Sequence, residues 1–123
     1  MKQEVSTGVK LDKPFSSGIE TESYVFVSGQ GGMKDGKIVG DDLESQTVQT
    51  MENIRVILQA AGLDLEHVVK VQVYLKDRSL YNEFNRVYDR FFSTPYPART
   101  AIYCDLNFDL LVEIDAVAVK SGK

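Results

Sequence analysis

Arg99 and Glu113, fourteen residues apart, are the residues of this sequence whose types and placement best suit chemistry. Arg99 stands in Tyr96-Pro97-Ala98-Arg99-Thr100, at the start of a strand directly after a proline-stiffened turn. Prolines fix the approach of the chain, so the guanidinium is held rather than free in solvent. If the segments at about 98–104 and 110–119 pair as a hairpin about Asn107, Arg99 falls opposite Asp115 and Ala101 opposite Glu113. Arg99 and Glu113 then share one face. An arginine fork there takes a carboxylate in two parallel hydrogen bonds, which lysine cannot copy. A neighbouring glutamate orients or deprotonates a water. The same spacing also fits a structural ion pair between strands, and spacing alone leaves both readings open.

Other chemistry-bearing residues divide in the same way. Ser28-Gly29-Gln30-Gly31-Gly32 lacks the Lys-Ser/Thr of a phosphate loop and does not fit G-x-G-x-x-G, which excludes nucleotide binding there. It is either a plain glycine turn or a loop lining a pocket with Ser28 as a donor. Asn85, among Phe84, Val87 and Tyr88, either bonds nearby backbone or meets a ligand. His67, the only histidine, has no nucleophile at a recognisable motif and reads as a surface residue. Asp41-Asp42 reads as a helix cap and not as a metal pair. The single cysteine, Cys104, falls by alternation on the face opposite Arg99; it reads as a packed thiol and leaves no internal disulfide or cysteine-rich zinc site.

The elements that must position these residues follow from periodicity. Residues 22–28 alternate as a strand, with Val25 and Val27 on one face and Tyr24 and Phe26 on the other. Asp35-Gly36 marks a short hairpin. Asp41, three residues before Glu44, opens a helix with a capping-box-like pair; Met51, Ile54, Leu58 and Ala61 form its apolar stripe, and Gly62 ends it. Residues 67–76 alternate, placing Val69, Val71, Val73 and Leu75 on one side and Val68, Lys70, Gln72 and Tyr74 on the other. A second helix starts near an N-cap at Ser79 and presents Leu80, Phe84, Val87 and Phe91 before Pro95 and Pro97 stop it. The order predicts an α+β sandwich, a mixed sheet with two helices on one face. Val112, Ile114, Ala116 and Ala118 then lie under the helices. Leu111, Glu113, Asp115, Val117 and Val119 join Tyr24, Phe26 and Tyr74 on the uncovered face. That face is too apolar for bulk water and too polar for a core, which predicts a homo-oligomer with a shared site.

With 123 residues the chain has the size of a single domain, 1–123. Its net charge of −4 offers nucleic acid no electrostatic attraction, so a nucleic-acid partner is not expected. The start, Met1-Lys2-Gln3-Glu4-Val5, has no apolar stretch behind its lysine, and no apolar run approaches the roughly 18 residues a membrane helix needs. A soluble cytoplasmic protein with no membrane partner is the expectation.

Ser28-Gly29-Gln30, Gln49 with Asn53-Ile54, Ala60-Ala61-Gly62, Val69-Lys70-Val71, Asn85-Arg86-Val87-Tyr88, Phe91-Phe92, Pro97-Ala98-Arg99-Thr100 and Val112-Glu113-Ile114 occur in an order that resembles the Rid family. These are the reactive-intermediate deaminases, also called YjgF-like proteins and, in older usage, L-PSP endoribonucleases. The resemblance runs from about Pro14 to Val119. It implies a chorismate-mutase-like α+β fold, a homotrimer with clefts between subunits, and hydrolysis of 2-enamino and 2-imino acids to 2-keto acids and ammonia. By position it makes Arg99 the clamp for the substrate carboxylate and Glu113 the residue that positions or activates water. Ser28 and Asn85 line the cleft, beside Phe15, Gly29 and Ala101. No metal or cofactor is implied, because an imine is already electrophilic and mainly requires positioning and proton transfer. Three departures from the family pattern stand out: Phe15 where a tyrosine is usual, Ala101 where a cysteine is frequent, and Gly31-Gly32 where an apolar residue and a proline are usual. The alternatives are a non-catalytic binder of small carboxylates such as 2-keto acids and, with the acidic chain against it, an endoribonuclease.

Overall fold

A computed structural model describes residues 1–120. Six strands form one mixed sheet in the order β1 (Gln3–Glu4), β2 (Gly18–Glu20), β3 (Tyr24–Gly31), β8 (Val112–Val119), β6 (Val68–Leu75) and β7 (Ala98–Tyr103). β4 (Met33–Lys34) and β5 (Lys37–Ile38) make a separate hairpin, turned by Asp35 and Gly36 at φ 54° and 80°, the left-handed pair a tight type I′ turn requires. All sheet pairings are antiparallel except β6 with β7, which run parallel through a crossover containing α2 (Tyr81–Tyr88). With α1 (Leu43–Ala60), this is the expected α+β arrangement, both helices packing on one face.

The core is the layer between. Val25, Val27, Val71, Val73, Leu75, Val112, Ile114, Ala116 and Ala118 meet Met51, Ile54 and Leu58 of α1 and Phe84 of α2, all buried. The strict alternation of β8 survives intact. That of β6 does not: Val68 is buried and Val69 is 44% exposed, because the register with β8 slips between Val68 and Lys70 and reverses the sides at the strand's start. β3 runs on to Gly31, so the glycine segment is strand with an irregularity between Val27 and Gln30, not a loop beyond it.

The helix starts also shift. Asp42, not Asp41, caps α1: its backbone is extended (φ −106°, ψ 151°) and its Oδ2 accepts from the Ser45 amide at 2.8 Å. Asp77, not Ser79, takes the cap of the 3₁₀ turn Arg78–Leu80 that leads into α2, accepting from the Ser79 amide at 2.9 Å. Gly62 follows α1 at φ 83°, as a helix stop requires. His67 has a structural task, its Nδ1 accepting from the Asp64 amide at 3.0 Å.

Candidate active site

The structure separates Arg99 from Glu113. β7 and β8 do not form a hairpin, because β6 lies between them and pairs with both. Arg99 is in register with Val71, a core residue, and therefore points to the helix side of the sheet. Glu113 is in register with Tyr74 and, flanked by buried Val112 and Ile114, points to the open side. The expected shared face is thus corrected. Their register partners on β6 are three residues apart, so the two residues sit roughly 10 Å apart along the strands and about 10 Å across, on opposite faces. Asp115 pairs with Gln72 and not with Arg99.

Arg99 has an aromatic seat. Its guanidinium carbon lies 5.0 Å from the Tyr88 ring centre, 5.7 Å from that of Phe84 and 5.8 Å from that of Tyr81, and Nη2 donates to the Tyr81 hydroxyl at 3.3 Å. Rings three, four and seven residues apart on one helical face attract the cation through their quadrupoles and fix the fork without neutralising it. Among the described residues, Arg99 has no ion-pair partner. It opens on a cavity of about 240 Å³ lined also by Asn85, Tyr88, Asp89, Tyr96 and Pro97. Tyr96 donates to Asp89 across the mouth. Asn85 Oδ1 and the Tyr88 hydroxyl are buried with no hydrogen-bond partner. Burial pushes the Tyr88 hydroxyl up to about 12, against a smaller opposing effect of Arg99, so it remains protonated. Ala101, two residues along β7, is half-buried on the same helix side and packs against the core.

Glu113 lines a different and larger cavity of about 880 Å³ with Phe15, Ser28, Gly29, Asn107 and Phe108. Burial first, and then the charge of Asp115, raise its pKa above the ordinary glutamate value. Asp115 is itself held by the Tyr74 hydroxyl at 3.0 Å and Gln72 Nε2 at 3.4 Å. Gly29 makes room for the carboxylate: a Cβ there would overlap it and stand 3.1 Å from its carbon. Ser28 donates to the Ser16 carbonyl at 2.6 Å, which ties the segment carrying Phe15 to β3; its proton is committed there, so it lines the cavity as an acceptor and not as the expected donor.

The Gly31-Gly32 departure has a packing cause. A Cβ at Gly31 would come 2.7 Å from Leu110 Cδ1, and one at Gly32 would come 2.5 Å from the Gln46 Cα of α1. Gln46 was not among the sequence candidates, yet it supports the site. Fully buried, it donates to the Gly40 carbonyl and accepts from the Leu111 amide, both at 2.8 Å, and so anchors the loop leading into β8. Asn53 likewise donates to the carbonyls of Gly31 and Met33 at 3.1 and 2.9 Å. The signal for the Arg99 seat was present in the spacing of Tyr81, Phe84 and Tyr88; nothing marked Gln46, one polar residue in the mostly polar run Glu44-Ser45-Gln46-Thr47.

A family model described as Endoribonuclease L-PSP matches residues 7–120. The chain belongs to the Rid/L-PSP family. A RutC family protein of Pyrococcus horikoshii is 43% identical over 87% of each chain. Reactive Intermediate Deaminase A, chloroplastic, of Arabidopsis thaliana is 34% identical over 85% of this chain and 58% of that longer protein. The crystal structure of Escherichia coli TdcF with bound serine superposes with a TM-score of 0.84 at 32% identity, covering 90% of this chain and 91% of that one. The L-PSP fold and the family are therefore those expected, and one of these relatives carries the name of a reactive intermediate deaminase. Among the described residues no helix is long and apolar enough to cross a membrane, and no cluster of metal-ligating side chains occurs.

Proposed function

We propose that this Rid/L-PSP protein hydrolyses 2-imino acids, and the 2-enamino acids that tautomerise to them, to 2-keto acids and ammonia. One observation carries the reading: a guanidinium seated on three aromatic rings, with no carboxylate of its own among the described residues, at the mouth of a small cavity. That arrangement suits a small carboxylate, which the fork binds bidentately. Because Arg99 and Glu113 occupy opposite faces of one sheet, a cleft that uses both takes them from two chains. Arg99 and Asn85 of one subunit would face Phe15, Ser28, Gly29 and Glu113 of the next. The open face supports such assembly, with Tyr24 and Phe26 each 44% exposed beside half-buried Val117 and Val119. A homotrimer closes three equivalent clefts.

In this cleft Arg99 holds the carboxylate and so fixes C2 of the substrate. The substrate reacts as the iminium, its nitrogen protonated from solvent; ionised Glu113 takes a proton from water as the water oxygen adds to C2 and the C=N electron pair moves onto nitrogen. Glu113, now protonated, returns its proton to the amino group of the tetrahedral intermediate. The carboxylate thus regenerated takes the proton of the C2 hydroxyl as the C–N bond breaks; ammonia leaves with the C–N electron pair, the C2 oxygen becomes the keto group, and Glu113 releases its proton to solvent. A glutamate with a raised pKa suits both halves of this exchange. The bound serine in TdcF, a small amino acid, is of the same size class.

The test is a coupled assay in which an amino-acid oxidase generates imino acids in the presence of semicarbazide, and hydrolysis lowers semicarbazone formation. Wild type is expected to lower it. Arg99→Lys, which keeps the charge but loses the fork, is expected to lose about ten- to a hundredfold in kcat/KM. Glu113→Gln is expected to lose rate while keeping affinity for the product keto acid. No wild-type activity across varied side chains, with keto-acid binding retained, would replace hydrolysis by the binding of small carboxylates.

A further inference from the structure

The cavity beside Glu113 extends well beyond that residue, and most of its wall takes no part in the chemistry described above. Away from Glu113, Ser28 and Gly29 its wall is mixed: Ser17, Gln30, Asn53 and Asn107 line part of it, and Val9, Leu11, Phe15, Val56, Phe108 and Leu110 supply an apolar stretch. Lys34 and Asp35, its other charged residues, sit on the exposed β4–β5 turn. Phe108 is the unusual member. It is 74% exposed and adopts φ 58°, the left-handed region that a bulky side chain avoids. The loop around it is nonetheless anchored: Leu110 is buried, and the Leu111 amide donates to buried Gln46. A fixed backbone thus holds a strained, exposed aromatic ring over the cavity that contains Glu113. Such strain persists where the surroundings over-determine it, typically at ligand clamps.

We infer that Phe108, with Phe15 and Leu110, forms an apolar subsite for the substrate's side chain, so that the preferred substrates are imino acids with large aliphatic or aromatic side chains. The inference rests on the proposed cleft, in which Arg99 of one subunit fixes the carboxylate and Glu113 of another faces C2. The side chain then has one broad direction left, along the wall from Glu113 to Phe108. Apolar contact there favours each added methylene. A leucine-type side chain, partly enclosed, is expected to gain about tenfold over a methyl.

The experiment measures binding and turnover separately on the full chain. Calorimetry gives affinities for the keto acids corresponding to alanine, leucine and phenylalanine, and the oxidase-coupled assay gives turnover of the matching imines. Wild type is expected to bind the two larger keto acids at least about tenfold more tightly than the smallest. Phe108→Ala should reduce that ratio severalfold, Phe108→Leu should restore part of it, and light scattering should show the same assembly for all three. Equal affinities in wild type, no binding of any of the keto acids, or a ratio unchanged by Phe108→Ala would overturn the subsite. So would dissociation of the Phe108→Ala assembly, which would place the ring against another subunit. Graded binding without turnover of any imine would refute hydrolysis and leave the subsite standing. Turnover with flat affinities would do the reverse.

Discussion

Replacing Gly29 with alanine should disable the protein while barely changing its stability. Gly29 is not in the left-handed region, so alanine can adopt its backbone, and the substitution also removes unfolded-state freedom worth about 0.4–1 kcal/mol. The difficulty is local. The new Cβ would overlap the Glu113 carboxylate, 3.1 Å from its carbon and 3.4 Å from Cγ. Only the end of a flexible side chain is in the way, and rotating it off its preferred conformation costs about 0.5–1.5 kcal/mol. The two effects nearly cancel, leaving net stability within about 1 kcal/mol and Tm within a few degrees. Relieving the overlap, however, moves the carboxylate by about 1 Å, and a displacement of that size at a reacting group costs on the order of a hundredfold in rate. The measurement is kcat/KM in the oxidase-coupled assay beside a thermal melt of the same samples. Glu113→Ala provides the control, since in that background the added methyl meets no carboxylate and its effect on stability should be that of a favourable Gly→Ala change alone. Near-wild-type turnover of Gly29→Ala would refute the placement of Glu113 at the reaction. A fall of Tm by ten degrees or so would show that the methyl meets backbone and not a movable side chain.

The remaining predictions concern charge, assembly and support. Glu113 must be ionised to take a proton from water, so activity should fall with acid at a higher pH than an ordinary glutamate would give. Asp115→Asn removes the charge that adds to the effect of burial and should move that limb of the pH–rate profile to lower pH. In folding the sign is opposite: a carboxyl whose pKa is raised in the folded state contributes stability fully present below its unfolded pKa and lost as pH rises through the folded one. Glu113→Gln should therefore raise Tm at pH 7, and the gain should vanish in acid. Co-refolding equal amounts of Arg99→Lys and Glu113→Gln should recover about a quarter of wild-type activity, because about a quarter of clefts in a randomly mixed symmetric ring receive both native residues. No recovery would refute the two-chain cleft. Gln46→Ala leaves the Gly40 carbonyl and Leu111 amide without their partner at about 1–3 kcal/mol each, and calorimetry should show Tm lowered on the order of 10 °C.

Strand periodicity carried most of the fold into the sequence, and where it misled, the cause was local. Val112 to Val119 alternate without interruption and their sides are as expected, whereas a register slip near Val68 reversed two valines that no composition pattern distinguishes. Asp41 and Asp42 are equally competent caps by type, and only the backbone angles select Asp42. The candidate site residues were legible as types, but their arrangement was not. Assigning Arg99 and Glu113 to one face assumed that consecutive strands pair. The long crossover through α2 instead brings β7 beside β6 in parallel, and β8 returns on β6's other edge. Parity counted along a chain identifies a face only within strands whose pairing is known.

The separation of the two residues has an electrostatic consequence that a shared face would not give. Had Arg99 and Glu113 met on one surface of one chain, the fork would have been occupied by the glutamate, and a substrate carboxylate would have had to displace a ligand already present at high effective concentration. On opposite faces neither charge can satisfy the other. Arg99 is instead held by rings, which orient a guanidinium but leave its donors available. Glu113 is held in partial burial, which keeps its proton affinity high. Each half therefore retains what the proposed reaction needs, an unfilled anion receptor and an unpaired base. In the proposed assembly they meet only across a subunit boundary, where substrate can lie between them. The pairing of β6 with both β7 and β8 is the feature of the fold that enforces this division, and under the proposed reaction it would make activity a property of the assembled protein rather than of the single chain.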